Sequence, residues 1–343
     1  MREKYTIEDS KLAALLSHAY EIAVQKIDFI PLGTTAYSYK VHCVNGEIYY
    51  LKLFDTTNRK QKKAVKRLDL SLAVTWNLYH KEIFQNLTYP IKTKDGLYKL
   101  TNGHVVLVLF NFIEGTTLNE IASKENIEKT ANMVAALHRA TPKINKKELK
   151  EETFDIKTQK HLMEKLLVLE STAAFADPYR TRLQSLILSN KDKILDYLNL
   201  LNNLRTSAVK SCQDKVICHG DLWGGNIVVS GDELFLLDWE YALFAPPEFD
   251  LSYFLNEDFV KFFKHYENHF GKKVLLDGDL LRFYAYRRKF HYLNYLLSNI
   301  LNRNTDKSHQ EHDLAEAVNC LKDMDSLGSD INEIRSRLSE NIK

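Results

Sequence analysis

The chain has 343 residues, of which 45% are hydrophobic and 27% are charged, and its formal net charge at pH 7 is +2. This composition is typical of a folded globular protein and excludes a disordered chain, while the near-neutral charge argues against nucleic acid as a main partner. The N-terminal residues lack the apolar core of a secretion signal, and the longest apolar run, at 105–113, is too short to span a bilayer. Four cysteines without metal-binding spacing are typical of buried thiols in a reducing compartment. We therefore expect a cytoplasmic protein with no membrane contact.

The first hundred residues are predicted to form a helix followed by β-hairpins. Thr6 and Asp9 resemble a capping box, and the residues after them have apolar positions at helical spacing. An Asn-Gly pair joins two β-rich runs within 36–54, which is the strongest short hairpin signal. Residues 59–83 contain no Gly or Pro and predict a long helix. Further Asp-Gly and Asn-Gly pairs then separate two more strands.

The second part of the chain, residues 114–343, is predicted to be mainly helical. Its helical pattern is interrupted by Pro142 and then by a short hairpin, predicted from 215–218 and 227–238. A strand-rich lobe at 1–113 followed by this helical lobe predicts an α+β fold of two lobes.

The segment ICHGDLWGGNIVVSG carries the predicted chemistry, and it holds four of the twelve glycines of the chain. Within it, His219, Asp221 and Asn226 follow the kinase catalytic-loop pattern H-R-D-L-x-x-x-N, with Gly220 in the place of the Arg. Asn226 leads into an apolar strand, a Gly-Asp turn and a second strand that ends on Asp238. This order predicts that Asp221, Asn226 and Asp238 meet at one end of a hairpin.

Phosphoryl transfer needs a set of groups of this kind. One carboxylate orients and deprotonates the acceptor hydroxyl, while an amide oxygen and a second carboxylate hold Mg²⁺ against the phosphates. The clustered glycines would let the backbone turn tightly and come close to metal and phosphate. The structural alternative is a turn at His219–Asp221 and a helix cap at Asp238, which explains each residue alone but not the ordered set.

Three parts of the first lobe are candidates for nucleotide binding. Lys52 lies within the predicted strand YYLKLF, where a lysine is costly unless it serves an anion, and kinases place such a lysine against the α- and β-phosphates. The turn before it, which would cover the phosphates or is a plain hairpin turn, contains Gly33, Thr34 and Thr35. The strand VLVLFNFIEG ends at the connector between lobes, where backbone groups of Asn111 and Ile113 could pair with adenine. A core strand that continues into a linker explains the apolar residues there equally well.

With these residues in place, the chain resembles the aminoglycoside phosphotransferase family, which is related to choline kinases and has a protein-kinase-like fold. The matching pieces are CHGDLWGGNIVV and LFLLDWEYALFAPPEFDLSYF in the helical lobe, LVLFNFIEG at the connector, MVAALHRAT on the following helix and YLKLF in the first lobe. The phrase FIPLGTTAYSYKV and the chain length are most similar to the spectinomycin phosphotransferase branch.

The resemblance implies ATP and Mg²⁺ as cofactors and a role for each matching residue. The implied roles are Asp221 as catalytic base, Asn226 and Asp238 as magnesium ligands, Lys52 at the ATP α- and β-phosphates, the backbone of Asn111 and Ile113 at adenine, and Asp250 as a support of the catalytic loop.

Two departures from the family pattern bear on these roles. The family commonly has a His two residues after the catalytic Asp, whereas this chain has Trp223, which we expect to reshape the substrate side. The helix after Lys52 should offer a Glu as its partner, but residues 56–81 contain no Glu and only one acid, Asp69. Either Asp69 takes that place or the lysine is oriented otherwise.

The short segment after Asp238 favours a small-molecule kinase over a protein kinase. The letters APPE resemble the A-P-E of protein kinases, but only six residues separate Asp238 from Ala245. That length cannot hold an activation loop with a phosphosite, and Gly220 replaces the Arg that would contact such a phosphate.

The acceptor is predicted to be a small, cationic molecule that bears a hydroxyl group. Residues 246–279 carry seven acids against four lysines, and Glu257, Asp258 and Trp223 are candidate substrate-binding residues. A solvated helix face is the alternative explanation for the acids. For the aromatic residues of YAYRRKFHYLNY, core packing is favoured over sugar stacking.

Three functions stay open from the sequence. The chain is an antibiotic phosphotransferase for spectinomycin or a related aminocyclitol, a metabolic kinase for choline, ethanolamine, an amino alcohol or a sugar, or a non-catalytic kinase-like structural protein. The motifs do not separate the first two functions. Against the third, Lys52, Asp221, Asn226 and Asp238 are all present. A monomer and a homodimer are both compatible with the sequence.

Overall fold

The computed structural model describes residues 3–33, 35–120, 126–145, 147–173, 175–211, 214–303 and 306–338, apart from the side chains of Glu120 and Lys160. The chain forms two compact units. The first consists of Met1–Glu151 and Val216–Phe244, and the second consists of Glu152–Lys215 and Ala245–Lys343. The division into lobes at residue 113 stays a prediction.

The first unit contains the strands and three of the helices. Its helices are α1 (Asp9–Tyr20), α2 (Arg59–His80) and α3 (Asn126–Arg139). Its strands are β1 (Val24–Ile30), β2 (Tyr37–Cys43), β3 (Ile48–Asp55), β4 (Leu100–Asn102), β5 (Val105–Asn111), β6 (Thr116–Thr117), β7 (Lys150–Glu151), β8 (Val216–Cys218), β9 (Ile227–Ser230), β10 (Glu233–Leu236) and β11 (Leu243–Ala245). The helices of the second unit are α4 (Lys157–Ser171), α5 (Pro178–Ser189), α6 (Lys191–Lys210), α7 (Glu248–Leu251), α8 (Phe259–Phe270), α9 (Gly278–Asn302) and α10 (Lys307–Arg337).

The main sheet of the first unit has the strand order β1-β2-β3-β5-β4, and its neighbouring strands are antiparallel. The predicted hairpin between β2 and β3 is confirmed, and Gly46 in its turn has φ +86°. Leu51 and Leu53 of β3 pack with α1, whereas Phe54 packs with α2. Because side chains alternate along a strand, Lys52 lies on the α2 side of the sheet.

The two helices that cover this sheet begin differently. The Asn58 side chain caps α2 by accepting hydrogen bonds from two N–H groups of the first turn, and the helix has 22 residues, which confirms the predicted long helix. Helix α1 begins at Asp9 after an extended Glu8, with no side-chain hydrogen bond at the cap. The capping box predicted at Thr6 is therefore wrong, because the chain is still extended two residues after it.

The hairpin that carries the candidate site differs in part from the prediction. β9 and β10 form an antiparallel hairpin with β6 at its edge, but β8 belongs to another sheet with the order β7-β11-β8. Gly220 has φ +85° and turns the chain directly after β8. This turn separates β8 from β9, so the predicted pairing of 215–218 with 227–238 is wrong.

The second unit is helical, as predicted, and its core surrounds α9, which contacts α4, α5, α6, α7 and α10. Tyr284, Tyr286 and Phe290 of α9 are buried in this core, which confirms core packing for these three, whereas Tyr292 of the same stretch is exposed. Among the helices that the structure describes, none is long and apolar enough to cross a membrane. Cys43, Cys218 and Cys320 are buried, and Cys212 lies outside the described residues.

Candidate active site

The loop between β8 and β9 is tied to the segment that precedes Asp238. His219 donates a hydrogen bond from Nε2 to the Leu237 carbonyl (2.7 Å) and accepts one at Nδ1 from the Asp221 N–H (3.3 Å). Because a carbonyl oxygen only accepts hydrogen bonds, Nε2 of His219 carries a proton. The Leu237 N–H in turn donates to the Asn226 carbonyl (2.9 Å). The loop with Asp221 and Asn226 is thereby fastened beside Asp238.

Asn226 holds the carboxylate of Asp221. Its Nδ2 atom donates to Asp221 Oδ2 (2.8 Å) and to the Asp221 carbonyl (2.9 Å). Since a carboxylate and a carbonyl only accept hydrogen bonds, the nitrogen end of the amide must face Asp221. The Oδ1 atom of Asn226 is therefore the end of the amide that remains for a metal ion.

Lys52 of β3 and Asp238 form an ion pair, with 2.8 Å between Nζ and Oδ1. Burial works to lower the pKa of Lys52, but the negative charge of Asp238 outweighs this effect, and the pKa lies above its ordinary value. Burial likewise works to raise the pKa of Asp238, and the Lys52 ammonium holds it below its ordinary value. Both partners are therefore charged at neutral pH.

Asp238 and Asn226 fit a hard divalent cation such as Mg²⁺. Asp238 Oδ1 is buried and accepts a hydrogen bond from the Lys52 ammonium at 2.8 Å. Together with Asn226 Oδ1, the Asp238 carboxylate offers the carboxylate and amide oxygens that Mg²⁺ prefers in proteins. Asp238 also has a left-handed backbone (φ +60°), which is uncommon for a non-glycine residue and is typical of functional sites.

The charges of Asp221 and Asp238 act on one common side chain, that of Tyr241. Burial raises the pKa of Tyr241 to about 12, and the carboxylates of Glu240, Asp221 and Asp238 add to this effect, while Arg67 opposes it. The two predicted carboxylates therefore belong to the same local environment.

A second ion pair, which sequence analysis missed, joins α2 to this environment. Arg67 of α2 reaches Glu240, with 3.0 Å between Nη2 and Oε2. Asp69 pairs with Lys99, so the alternative in which Asp69 pairs with Lys52 is wrong. Residues two apart on a helix are rotated by about 200° from each other, so Asp69 and Arg67 face different directions.

Glu240 is partly buried, with 9% of its side chain exposed. Burial raises the pKa of Glu240 above its ordinary value, the charge of Asp238 adds to this effect, and Arg67 and Lys52 oppose it. The Arg67 guanidinium also lies over the Tyr241 ring, at 4.8 Å from its centre. The available sequence signals were a Glu two residues after Asp238 and a helix α2 with arginine and lysine but no Glu.

Three glycines of the loop lie against protein groups. A Cβ atom at Gly220 would lie 2.3 Å from the Tyr241 carbonyl oxygen, and one at Gly224 would lie 2.3 Å from Asn119 Oδ1. One at Gly225 would lie 2.1 Å from the Trp223 ring. The Trp223 indole therefore rests on Gly225, and half of the side chain (50%) is exposed. These glycines therefore allow other parts of the protein to approach the loop closely. A close approach of the loop to metal or phosphate stays a prediction.

Of the two residues whose backbone is predicted to bind adenine, Asn111 and Ile113, one already uses its N–H within the protein. The Asn111 N–H donates to the Tyr89 carbonyl (3.2 Å), and Asn111 Oδ1 accepts from the Tyr89 N–H (2.7 Å). A contact of Asn111 with adenine would therefore have to use its carbonyl. Ile113 makes no hydrogen bond within the described ranges, so its backbone groups suit the predicted role. Gly33 (φ +83°) and Thr35 lie in the turn before β2, and Thr34 lies outside the described residues.

The acids predicted to bind substrate belong to the second unit. Glu257 is exposed and Asp258 is partly exposed, both directly before α8. Two other acids of residues 246–279 are part of the fold: Glu248 is buried, and Asp277 caps α9. Asp250 is also buried. Substrate binding by Glu257 and Asp258 stays a prediction.

The chain is similar in sequence to known proteins. A family model described as phosphotransferase enzyme family matches residues 88–289, more than half of the chain. A LicA homolog from Metamycoplasma hominis is 27% identical over 194 residues, which cover 55% of this chain and 62% of that protein. The chain thus matches less than two thirds of the length of this relative.

Two solved structures show the fold. Spectinomycin phosphotransferase in complex with ADP and spectinomycin matches with a TM-score of 0.73 and 18% identity, over 92% of this chain and 94% of that one. Choline kinase LicA from Streptococcus pneumoniae matches with a TM-score of 0.59 and 16% identity, over 92% of this chain and 98% of that one. The predicted α+β, kinase-like fold and the family resemblance are both confirmed.

Proposed function

The chain belongs to the phosphotransferase enzyme family, and on that premise we propose that it is a small-molecule kinase that transfers the γ-phosphoryl group of ATP to a hydroxyl group. The observation that carries this proposal is the joined set of four side chains in the first unit. Asn226 holds the carboxylate of Asp221, while Asp238, fastened beside them, is paired with Lys52. These are the groups that phosphoryl transfer needs: a base, an amide and a carboxylate for metal, and a cation for phosphate.

Asp221 acts in this proposal as the catalytic base. It orients the acceptor hydroxyl and takes its proton as the oxygen attacks the γ-phosphorus, while the bond to the β-phosphate oxygen breaks and ADP leaves. The hydrogen bond from Asn226 holds the carboxylate in place.

The remaining residues bind the nucleotide. Lys52 contacts the ATP phosphates, and the backbone at 111–113 contacts adenine. Asn226 Oδ1 and the Asp238 carboxylate hold Mg²⁺, which when bound neutralises the charge of the phosphates and lowers the barrier to transfer. The Oδ1 end of the Asn226 amide, which is turned away from Asp221, supports this assignment.

The acceptor is proposed to be an alcohol that also carries an ammonium group. The similar structures are a kinase bound to spectinomycin and a choline kinase, and both compounds combine hydroxyl groups with a cationic nitrogen. The half-exposed indole of Trp223, two residues after Asp221, offers an aromatic face to such a cation. A spectinomycin-type aminocyclitol is the first candidate, and a kinase of this kind would give antibiotic resistance in the cytoplasm, where ATP is available.

A choline-type metabolic kinase is the second candidate. The LicA homolog and the structure of choline kinase LicA favour it, because both lie among the similar proteins. An aromatic face such as that of Trp223 suits a quaternary ammonium as well as a protonated amine.

A panel of acceptors tests both candidates. We expect the purified full-length chain with Mg²⁺ and ATP to release ADP faster in the presence of spectinomycin than without an acceptor, with choline, ethanolamine and an uncharged sugar alcohol as the other members. The Asp221→Asn variant serves as the matched control for contaminating activity. The proposal fails if no acceptor raises ADP release and calorimetry detects no binding of Mg²⁺-ATP.

A further inference from the structure

Two ion pairs lie side by side where the sequence suggested one. Lys52 pairs with Asp238 at 2.8 Å, and Arg67 of α2 pairs with Glu240 at 3.0 Å. A single residue separates Asp238 from Glu240, and both follow β10. In the family pattern, the helix after the lysine supplies an acid. Here α2 supplies a cation, Arg67, and the loop after β10 supplies both acids.

The proposed function gives the Asp238 carboxylate two tasks. It pairs with Lys52 through Oδ1, and it is assigned as a ligand of the metal ion. A metal ion bound to the carboxylate shares its single negative charge, so Lys52 needs a second negative charge nearby to keep it in place. Glu240 lies two residues after Asp238, the partner of Lys52, and its negative charge adds to that of Asp238 in raising the pKa of Lys52.

Arg67 explains how a second buried acid is tolerated there. Without Arg67, the cluster would hold two carboxylates and one ammonium in a region of low dielectric, which is costly. Its guanidinium is held between Glu240 and the Tyr241 ring, with 30% of the side chain exposed. Its Nη2 atom donates to Glu240 Oε2 at 3.0 Å, so Glu240 is the acid that holds it.

We propose that Glu240 is a positioning residue that supplies from the loop the counter-charge for Lys52 that helix α2 lacks, and that Arg67 holds Glu240 in this position. The inference rests on the proposed function, because the lysine that is positioned is the one assigned to the ATP phosphates. The competing explanation is that the pair of Arg67 and Glu240 only attaches α2 to the loop.

Nucleotide binding by isosteric variants tests the proposal. The readouts are the Kd of Mg²⁺ with a non-hydrolysable ATP analogue, from calorimetry, and the melting temperature of the full chain. We expect Glu240→Gln to weaken binding by about tenfold, since it removes a buried charge beside Lys52. Asp232→Asn is the matched control, because it removes an exposed ion pair with Lys129 in the same unit, and we expect no change in Kd.

Two further variants separate positioning from attachment. In a Lys52→Met background, we expect Glu240→Gln to change the Kd by less than about twofold, because the residue through which it acts is gone. The exchanged pair Arg67→Glu with Glu240→Arg should recover the melting temperature but not the affinity, since an arginine at 240 repels Lys52.

The possible failures are distinguishable. If the wild-type chain does not bind the nucleotide, the proposed function fails and this inference fails with it. If the wild-type chain binds and Glu240→Gln binds equally well, or if the exchanged pair recovers affinity together with melting temperature, the positioning role alone is overturned.

Discussion

The side-chain nitrogen of Asn226 donates hydrogen bonds to both the carboxylate (2.8 Å) and the backbone carbonyl (2.9 Å) of Asp221. This double contact orients two groups at once. The Asp221 carboxylate is restricted to one rotamer, and the amide oxygen of Asn226 is turned away from it. Because Leu237 also donates to the Asn226 carbonyl, the pair is fastened to the residue before Asp238. The chemistry proposed for the chain depends on this arrangement.

Asp221→Asn should abolish turnover and preserve nucleotide binding. The variant keeps the shape of the side chain but removes the base, so we expect kcat to fall by about a thousandfold. ADP release with the best acceptor measures the loss, and calorimetry with Mg²⁺ and the ATP analogue checks that binding is retained. A rate within tenfold of the wild type would contradict the role of Asp221 as base.

Gly220→Ala should destabilise the first unit more than a matched glycine substitution. Gly220 and Gly231 both have positive φ (+85° and +58°), but only at Gly220 does the new Cβ meet protein, the Tyr241 carbonyl oxygen at 2.3 Å. We expect Gly231→Ala to cost about 1 kcal/mol from its backbone conformation alone. Gly220→Ala should cost about 2 kcal/mol more, from the steric clash. Urea unfolding measures both values, and equal losses would show that the backbone yields without cost.

Trp223→Leu should weaken acceptor binding and leave nucleotide binding unchanged. The substitution keeps an apolar side chain but removes the aromatic face, so we expect the KM for a cationic acceptor to rise by about fivefold to tenfold. Trp223→Phe retains an aromatic face and serves as the control. If Leu and Phe at this position give the same KM, the indole is not a cation-binding face.

The stability of the second unit should depend on pH through Glu248. Burial raises the pKa of this carboxyl from 4.5 to about 7; its Oε1 atom accepts the Asp277 N–H (2.8 Å), and its Oε2 atom has no hydrogen-bond partner among the described residues. The folded chain then binds a proton that the unfolded chain has lost between pH 4.5 and 7. The contribution of the protonated carboxyl is therefore full below pH 4.5 and is lost as the pH rises through 7.

Glu248→Gln should remove this pH dependence, since the amide is neutral and retains an oxygen for the Asp277 N–H. We expect the variant to be more stable than the wild type at pH 8, by at most about 3 kcal/mol, and similar to it at pH 4.5. Melting temperatures across this range give the comparison. If the stability of the wild type changes between pH 5 and 8 in the same way as that of the variant, the predicted effect of Glu248 is contradicted.

Local patterns predicted the elements well where one segment carries its own signal. The turn at Gly46 needs a positive φ, and the Asn-Gly pair in the sequence predicted this turn. Residues 59–83 lack Gly and Pro, so the long helix α2 could be predicted from the sequence. The order of His219, Asp221, Asn226 and Asp238 indicated the chemistry, because phosphoryl transfer restricts which groups must follow each other around one hairpin.

Ion pairs and strand pairs between distant segments could not be predicted from such local patterns. Arg67 and Glu240 are 173 residues apart, and nothing in either local pattern specifies the other. The same holds for β8, whose apolar residues fit a strand beside β9 as well as one beside β11. A repeat of apolar positions tells which face of a segment is buried, but not which segment covers it.

Sequence alone was therefore sufficient for the kinase-like class of fold and for the candidate base, amide and lysine, since each depends on residue type and short spacing. Which charges meet was decided by the folded chain: Lys52 with Asp238, Arg67 with Glu240 and Asp69 with Lys99. The physical reason is that ion pairing depends on distance and burial in three dimensions, and both arise only when helix α2, the main sheet and the loop after β10 pack together.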